Sequence, residues 1–119
     1  MIGGGWVLVL VTTSNKEEAE RIAEDIVKNK LAACTNIIEK IESIYWWNNK
    51  VEKSGEALLI IKTKVTQLGK LVRRIKSLHS YEVPEIIALP IIGGYPDYLK
   101  WLDNSVRANN NDQGSGSPR

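Results

Sequence analysis

The chain has 119 residues, of which 43% are hydrophobic and 25% charged. This is the size and composition of one ordinary globular domain. Sixteen basic and 14 acidic side chains leave a net charge of +2, too balanced for the strongly basic face that a nucleic-acid partner requires. No apolar run approaches the roughly 20 residues that span a bilayer, so no membrane partner is expected. Met1 to Gly5 lacks the basic start of a secretory leader. The single Cys34 cannot close an intramolecular disulfide. A cytoplasmic location is the resulting expectation.

Trp6 to Thr12 is a continuous β-rich apolar run, the pattern of a strand covered on both faces. Ser14-x-x-Glu17 matches a capping box. Ala19, Ile22, Ala23, Ile26 and Val27 follow at helical spacing, with acidic residues early and lysines late to suit the helix dipole. From Ala33 to Trp47 the pattern turns to strand, and Asn48-Asn49 suits a hairpin turn, since Asn tolerates positive φ. Val51 to Thr63 predicts a long returning strand. The pair forms a ribbon that overhangs a small domain and needs something to pair with.

A second helix begins near Val65 or Thr66, carries the stripe Leu68, Leu71, Val72, Ile75 and Leu78, and stops before Pro84. Val83 to Ile92 is the fourth strand, and Pro84 and Pro90 argue for an edge position or for irregular ends. Pro96 opens a short last helix with Tyr98, Leu99, Trp101 and Leu102. The order predicts an α+β fold: a ferredoxin-like β-α-β-β-α-β sandwich with a long hairpin and an extra C-terminal helix. Residues 1–108 are expected to form a single domain. Residues 109–119, rich in Asn, Gly and Ser, read as a flexible, vector-derived tail.

Chemistry-bearing residues are few. His79, the single histidine, is followed by Tyr81, Glu82 and Glu85. Imidazole with carboxylate oxygens suits Cu(II), Zn(II) or Ni(II). If 82–85 is extended, Glu82 and Glu85 face opposite ways and only one joins His79. The competing reading is a histidine that ends a helix, where its charge suits the dipole. Cys34, in small apolar company, reads as core packing rather than a reactive thiol. Tyr45-Trp46-Trp47 alternate across a strand, so one side can face the core while the other needs separate cover; a subunit interface is the favoured cover. Gly3-Gly4-Gly5 precedes a strand and opens no helix, so it is no phosphate loop. With no Ser-His-Asp order and no paired catalytic carboxylates, no enzyme activity is expected.

Several motifs in order then identify a family. They are Leu31-Ala32-Ala33-Cys34-Thr35-Asn36-Ile37; Ser43-Ile44-Tyr45-Trp46-Trp47; Lys62-Thr63; His79-Ser80-Tyr81-Glu82-Val83-Pro84-Glu85-Ile86; and Tyr98-Leu99-x-Trp101-Leu102. From about Trp6 to Val106 the chain resembles the CutA divalent-cation tolerance proteins. The resemblance implies a tight homotrimer, with long hairpins pairing between subunits, similar in architecture to the PII signalling proteins. It implies divalent metal binding, copper above all, in metal-ion homeostasis. It assigns His79 and Glu85 to the metal, near subunit clefts lined by Tyr81 and Lys62. Two departures bear on that assignment. Ser80 stands where many relatives have Pro, and the first strand, Leu8-Val9-Leu10-Val11, has no cysteine, which favours a harder Cu(II) site over a soft Cu(I) one. The alternative function is a PII-like module binding a small metabolite or protein at the clefts.

Overall fold

The computed structural model describes residues 5–106; the expected tail at 109–119 lies outside them. The elements are β1 (Trp6–Thr13), α1 (Lys16–Lys28), β2 (Cys34–Trp47), β3 (Lys50–Lys64), α2 (Leu68–Leu78), β4 (Ile86–Ile91) and α3 (Pro96–Ser105), with a 3-10 turn at Val65–Gln67 before α2. The strands form one antiparallel sheet in the order β2-β3-β1-β4. This is the ferredoxin-like α+β arrangement the element order predicts, with β4 at an edge.

Alternation divides the sheet into two faces. Val7, Val9 and Val11 of β1 and Ala57, Leu59 and Ile61 of β3 pack against Ala19, Ile22 and Ile26 of α1 and Leu71 and Ile75 of α2, all buried. The intervening positions, Leu8 and Leu10 of β1 and Leu58 and Ile60 of β3, lie on the other face and are half-buried. On the same face Ile38, Ile87 and Leu89 are exposed. Among the described residues, only one end of this second face is closed. There Leu99, Leu102 and Val106 pack on Trp6, whose Nε1–H donates to Asp103 Oδ1 at 2.8 Å.

The hairpin projects beyond the body and gives the chain its extents of 46 × 26 × 23 Å. Asn48 and Asn49 both adopt positive φ, 51° and 62°, as a two-residue turn matched to strand twist requires. Neither flank of the aromatic run reaches the core: Trp46 is 74% and Trp47 51% exposed. The expectation that one side of this run faces the domain's own core is therefore corrected.

Three local expectations shift. The α1 cap is Asn15, whose side chain accepts from Glu18 N–H at 2.8 Å, so the capping register lies one residue beyond Ser14-Glu17. β4 begins at Ile86, three residues later than Val83, because Pro84 donates no hydrogen bond to a ladder. Cys34 is half-buried rather than in the core. It opens β2 opposite Lys62, on the face that α1 and α2 leave open.

Candidate functional site

The segment between α2 and β4 is fixed by a buried polar latch. α2 stops at Leu78, and His79 takes an extended backbone (φ −82°, ψ 141°), turning its ring into the body with its side chain fully buried. His79 Nε2 lies 2.7 Å from the Thr12 carbonyl oxygen, and Nδ1 lies 3.0 Å from the Tyr81 backbone N–H. A carbonyl can only accept and a backbone N–H can only donate, so the ring is the neutral Nε2–H tautomer, with Nδ1 as acceptor.

Glu18, from the first turn of α1, completes the latch. It is 3% exposed. Its Oε1 accepts from Ser14 N–H and the Ser14 hydroxyl at 2.8 and 2.9 Å, and its Oε2 accepts from Ser80 N–H at 2.6 Å. Burial alone would raise the carboxyl pKa. The hydrogen bonds from Ser14 and Ser80 outweigh burial and bring it down to about 2, since they favour the charged form. One carboxylate thus ties the start of α1 to the turn after α2.

The latch aims Tyr81 away from the body. Its ring sits against His79, centroids 4.8 Å apart, and its hydroxyl donates to Glu56 Oε2 at 2.8 Å. Burial, then the bond to Glu56, raises the phenol pKa well above its usual value. Glu56 is itself buried, on β3. Together they form the floor of a cleft of about 580 Å³ between the hairpin and the 81–85 turn. Thr12 lines it from β1; Ser43, Ile44, Tyr45 and Trp47 of β2 form one wall. Glu82, Val83 and Glu85 form the other. Glu82 and Glu85 therefore line one cleft. The expectation that they face opposite ways fails because 80–83 is a series of bends rather than a strand.

The expected site residues divide between these regions. Tyr81, Glu85, Tyr45 and Trp47 line the cleft; His79 does not. Trp46 lies on the opposite side of the ribbon. Lys62 stands apart within one chain: it pairs with Leu8 and Cys34, and its ammonium bonds Asn36 Oδ1. Thr12, at the cleft, lies four strand positions from Leu8, about 13 Å. The same separation keeps Cys34 from the Thr12 carbonyl that His79 holds.

A metal does not fit His79 in this geometry. A ligand nitrogen must offer its lone pair, and binding through Nδ1 would break the Tyr81 N–H bond. Binding through Nε2 would strip the proton from the Thr12 bond. Among the described residues, no group of three or more His, Cys, Asp or Glu side chains is arranged to hold a metal ion.

Comparison with known proteins fixes the family. A family model described as "CutA1 divalent ion tolerance protein" matches residues 7–105. This chain belongs to the CutA1 divalent ion tolerance family. It is 52% identical over 101 residues to "Protein CutA 1, chloroplastic" of Oryza sativa subsp. japonica, covering 85% of this chain and 57% of that one. It is 46% identical over 95 residues to the "Divalent-cation tolerance protein CutA" of Thermus thermophilus, covering 80% of this chain and 92% of that one. Among solved structures, CutA1 from Oryza sativa superposes with a TM-score of 0.84 at 52% identity, over 86% of this chain and 94% of that one. The structure named "Periplasmic divalent cation tolerance protein CutA" from Archaeoglobus fulgidus has a TM-score of 0.83 at 38% identity, over 86% and 99%. The chain spans a little over half the length of the rice relative. Family members thus carry chloroplast and periplasm in their names, so CutA1 membership does not imply the cytoplasm. No helix among the described residues is long and apolar enough to cross a membrane.

Glu18, Glu56 and Thr12 escape sequence reasoning as site residues. For Glu18 a signal exists, because Asn15-x-x-Glu18 is as good a cap pattern as the one a residue earlier. Glu56 and Thr12 carry no such signal. Each becomes part of the cleft only through strand register.

Proposed function

We propose that the protein serves divalent-cation tolerance as a non-enzymatic homotrimer, and that its cleft works as a PII-like module for a small molecule. The open sheet face carries this reading. Leu8, Leu10, Leu58, Ile60, Ile87 and Leu89 form a continuous apolar surface that α1 and α2 leave uncovered, next to a ribbon bearing exposed Trp46 and Trp47. Apolar surface of this extent is what subunit interfaces bury. Three copies bring three such faces and three unpaired hairpins together, as the family resemblance implies. The divalent cation is what the tolerance acts against. A Cu(II) ion bound by His79 and Glu85 is not part of the proposal, because the His79 nitrogens are already committed to backbone groups. No nucleic-acid partner enters it.

The test is complementation. Cells lacking their own homologue are challenged with Cu(II) and Zn(II) and supplied with wild type, with His79→Gln, or with the double variant Ile87→Asp, Leu89→Asp. Wild type is expected to restore growth and the double variant to fail. Restoration by a double variant shown to be monomeric would remove assembly from the function.

A further inference from the structure

We infer that the cleft beside Tyr81 takes a small organic cation, an ammonium or guanidinium group on an apolar body, rather than an anion such as a nucleotide. This rests on the small-molecule reading above and names its ligand class. Among the described residues, the lining carries three carboxylates, Glu56, Glu82 and Glu85, and no lysine, arginine or histidine. Interleaved with them are the rings of Tyr45, Trp47 and Tyr81. Carboxylates with aromatic faces attract a cation twice over, through charge and through the ring quadrupole. An anion finds no counter-charge there.

Two groups at the floor leave polar capacity toward the cleft. Glu56 is 7% exposed, and only its Oε2 has a hydrogen bond, from Tyr81, among the described residues. Its other oxygen is left for an incoming donor. Thr12 is equally buried and lines the cleft, yet its hydroxyl has no hydrogen bond among the described residues. The open carboxylate oxygen of Glu56 and the hydroxyl of Thr12 border one space. About 580 Å³ lies within the range of small-molecule sites. The latch supplies rigidity: His79 and Glu18 hold the turn, so Tyr81 stays on Glu56 whether or not a ligand is present.

One molecular body with three charges tests this. Benzylamine, benzyl alcohol and benzoate are titrated calorimetrically into the intact protein at neutral pH, alongside Glu56→Gln and Glu85→Gln. Benzylamine is expected to bind at least about tenfold more tightly than benzyl alcohol, with no benzoate binding. Glu56→Gln, which still accepts from Tyr81, should erase that preference while leaving the sedimentation coefficient unchanged. Glu85→Gln should weaken it, and serves as the second variant if Glu56→Gln disturbs assembly. Equal binding of all three, or preference for benzoate, overturns the cation inference and leaves a small-molecule cleft standing. Binding of none overturns both and marks the cleft as the seat of a neighbouring subunit's side chain.

Discussion

The two faces of the sheet use nearly the same residues and meet different surroundings. On one, Val9, Leu59 and Ile61 disappear under α1 and α2. On the other, Leu10, Leu58 and Ile60 are half-buried, and Ile87 and Leu89 stand in solvent. Among the described residues, α1 and α2 cover one face and α3 closes only the Trp6 end of the other. The contrast teaches that this domain is finished on one side only. Its stability belongs to the helix-covered face, and its proposed function to the open face, ribbon and cleft.

The largest effect expected from that contrast is on the covered side. Leu59→Ala removes a fully buried side chain and should cost about 3 kcal/mol in denaturant unfolding, at any protein concentration. Leu89→Ala, on the open face, should instead raise the concentration needed for assembly in sedimentation, because it weakens association rather than the core. Equal shifts of the assembly midpoint in the two variants would break the comparison.

Glu18 comes next. Its pKa is depressed from 4.5 to about 2, so its stabilisation is fully present above pH 4.5 and is lost as pH falls through 2. The shift corresponds to about 3 kcal/mol. Stability against urea measured from pH 5 to pH 2 should fall in wild type and stay flatter in Glu18→Ala. Parallel curves would show that the carboxylate does not hold the turn. For His79→Gln, Cu(II) affinity by calorimetry should match wild type, and stability should drop; a large loss of copper affinity would return His79 to a metal site. The smallest effect is at Arg74, whose bidentate pair with Asp25 at 2.8 and 2.6 Å ties α2 to α1 on the surface. Arg74→Ala should lower the midpoint only slightly in the same unfolding assay.

Much of the fold was legible in the sequence. The stripes on α1 and α2, the Asn48-Asn49 turn and the apolar run of β1 each obey a local rule, and the local rules agree. The cap was misread by one residue because Ser14 and Asn15 can both cap, and Glu17 and Glu18 can both reply. The family motif around His79 was visible, but its role was not. Whether a histidine offers a lone pair depends on what meets its nitrogens, and here those are Thr12 and Tyr81 backbone groups, one of them 67 positions away in sequence. The cleft was less legible still. Glu56 reads as one more ribbon charge until the Tyr81 hydroxyl lands on it, and Thr12 as the end of a strand. Topology, not local pattern, makes them neighbours.

Sedimentation equilibrium on the purified protein, with the Ile87→Asp, Leu89→Asp variant beside it, tests most directly whether the open face exists to be covered by other copies. Wild type should give three times the 13.3 kDa chain mass, and the variant one times, with its far-UV circular dichroism retained. A wild-type protein that sediments as a monomer across the concentration range would contradict the homotrimer and leave the open face and hairpin to a different partner.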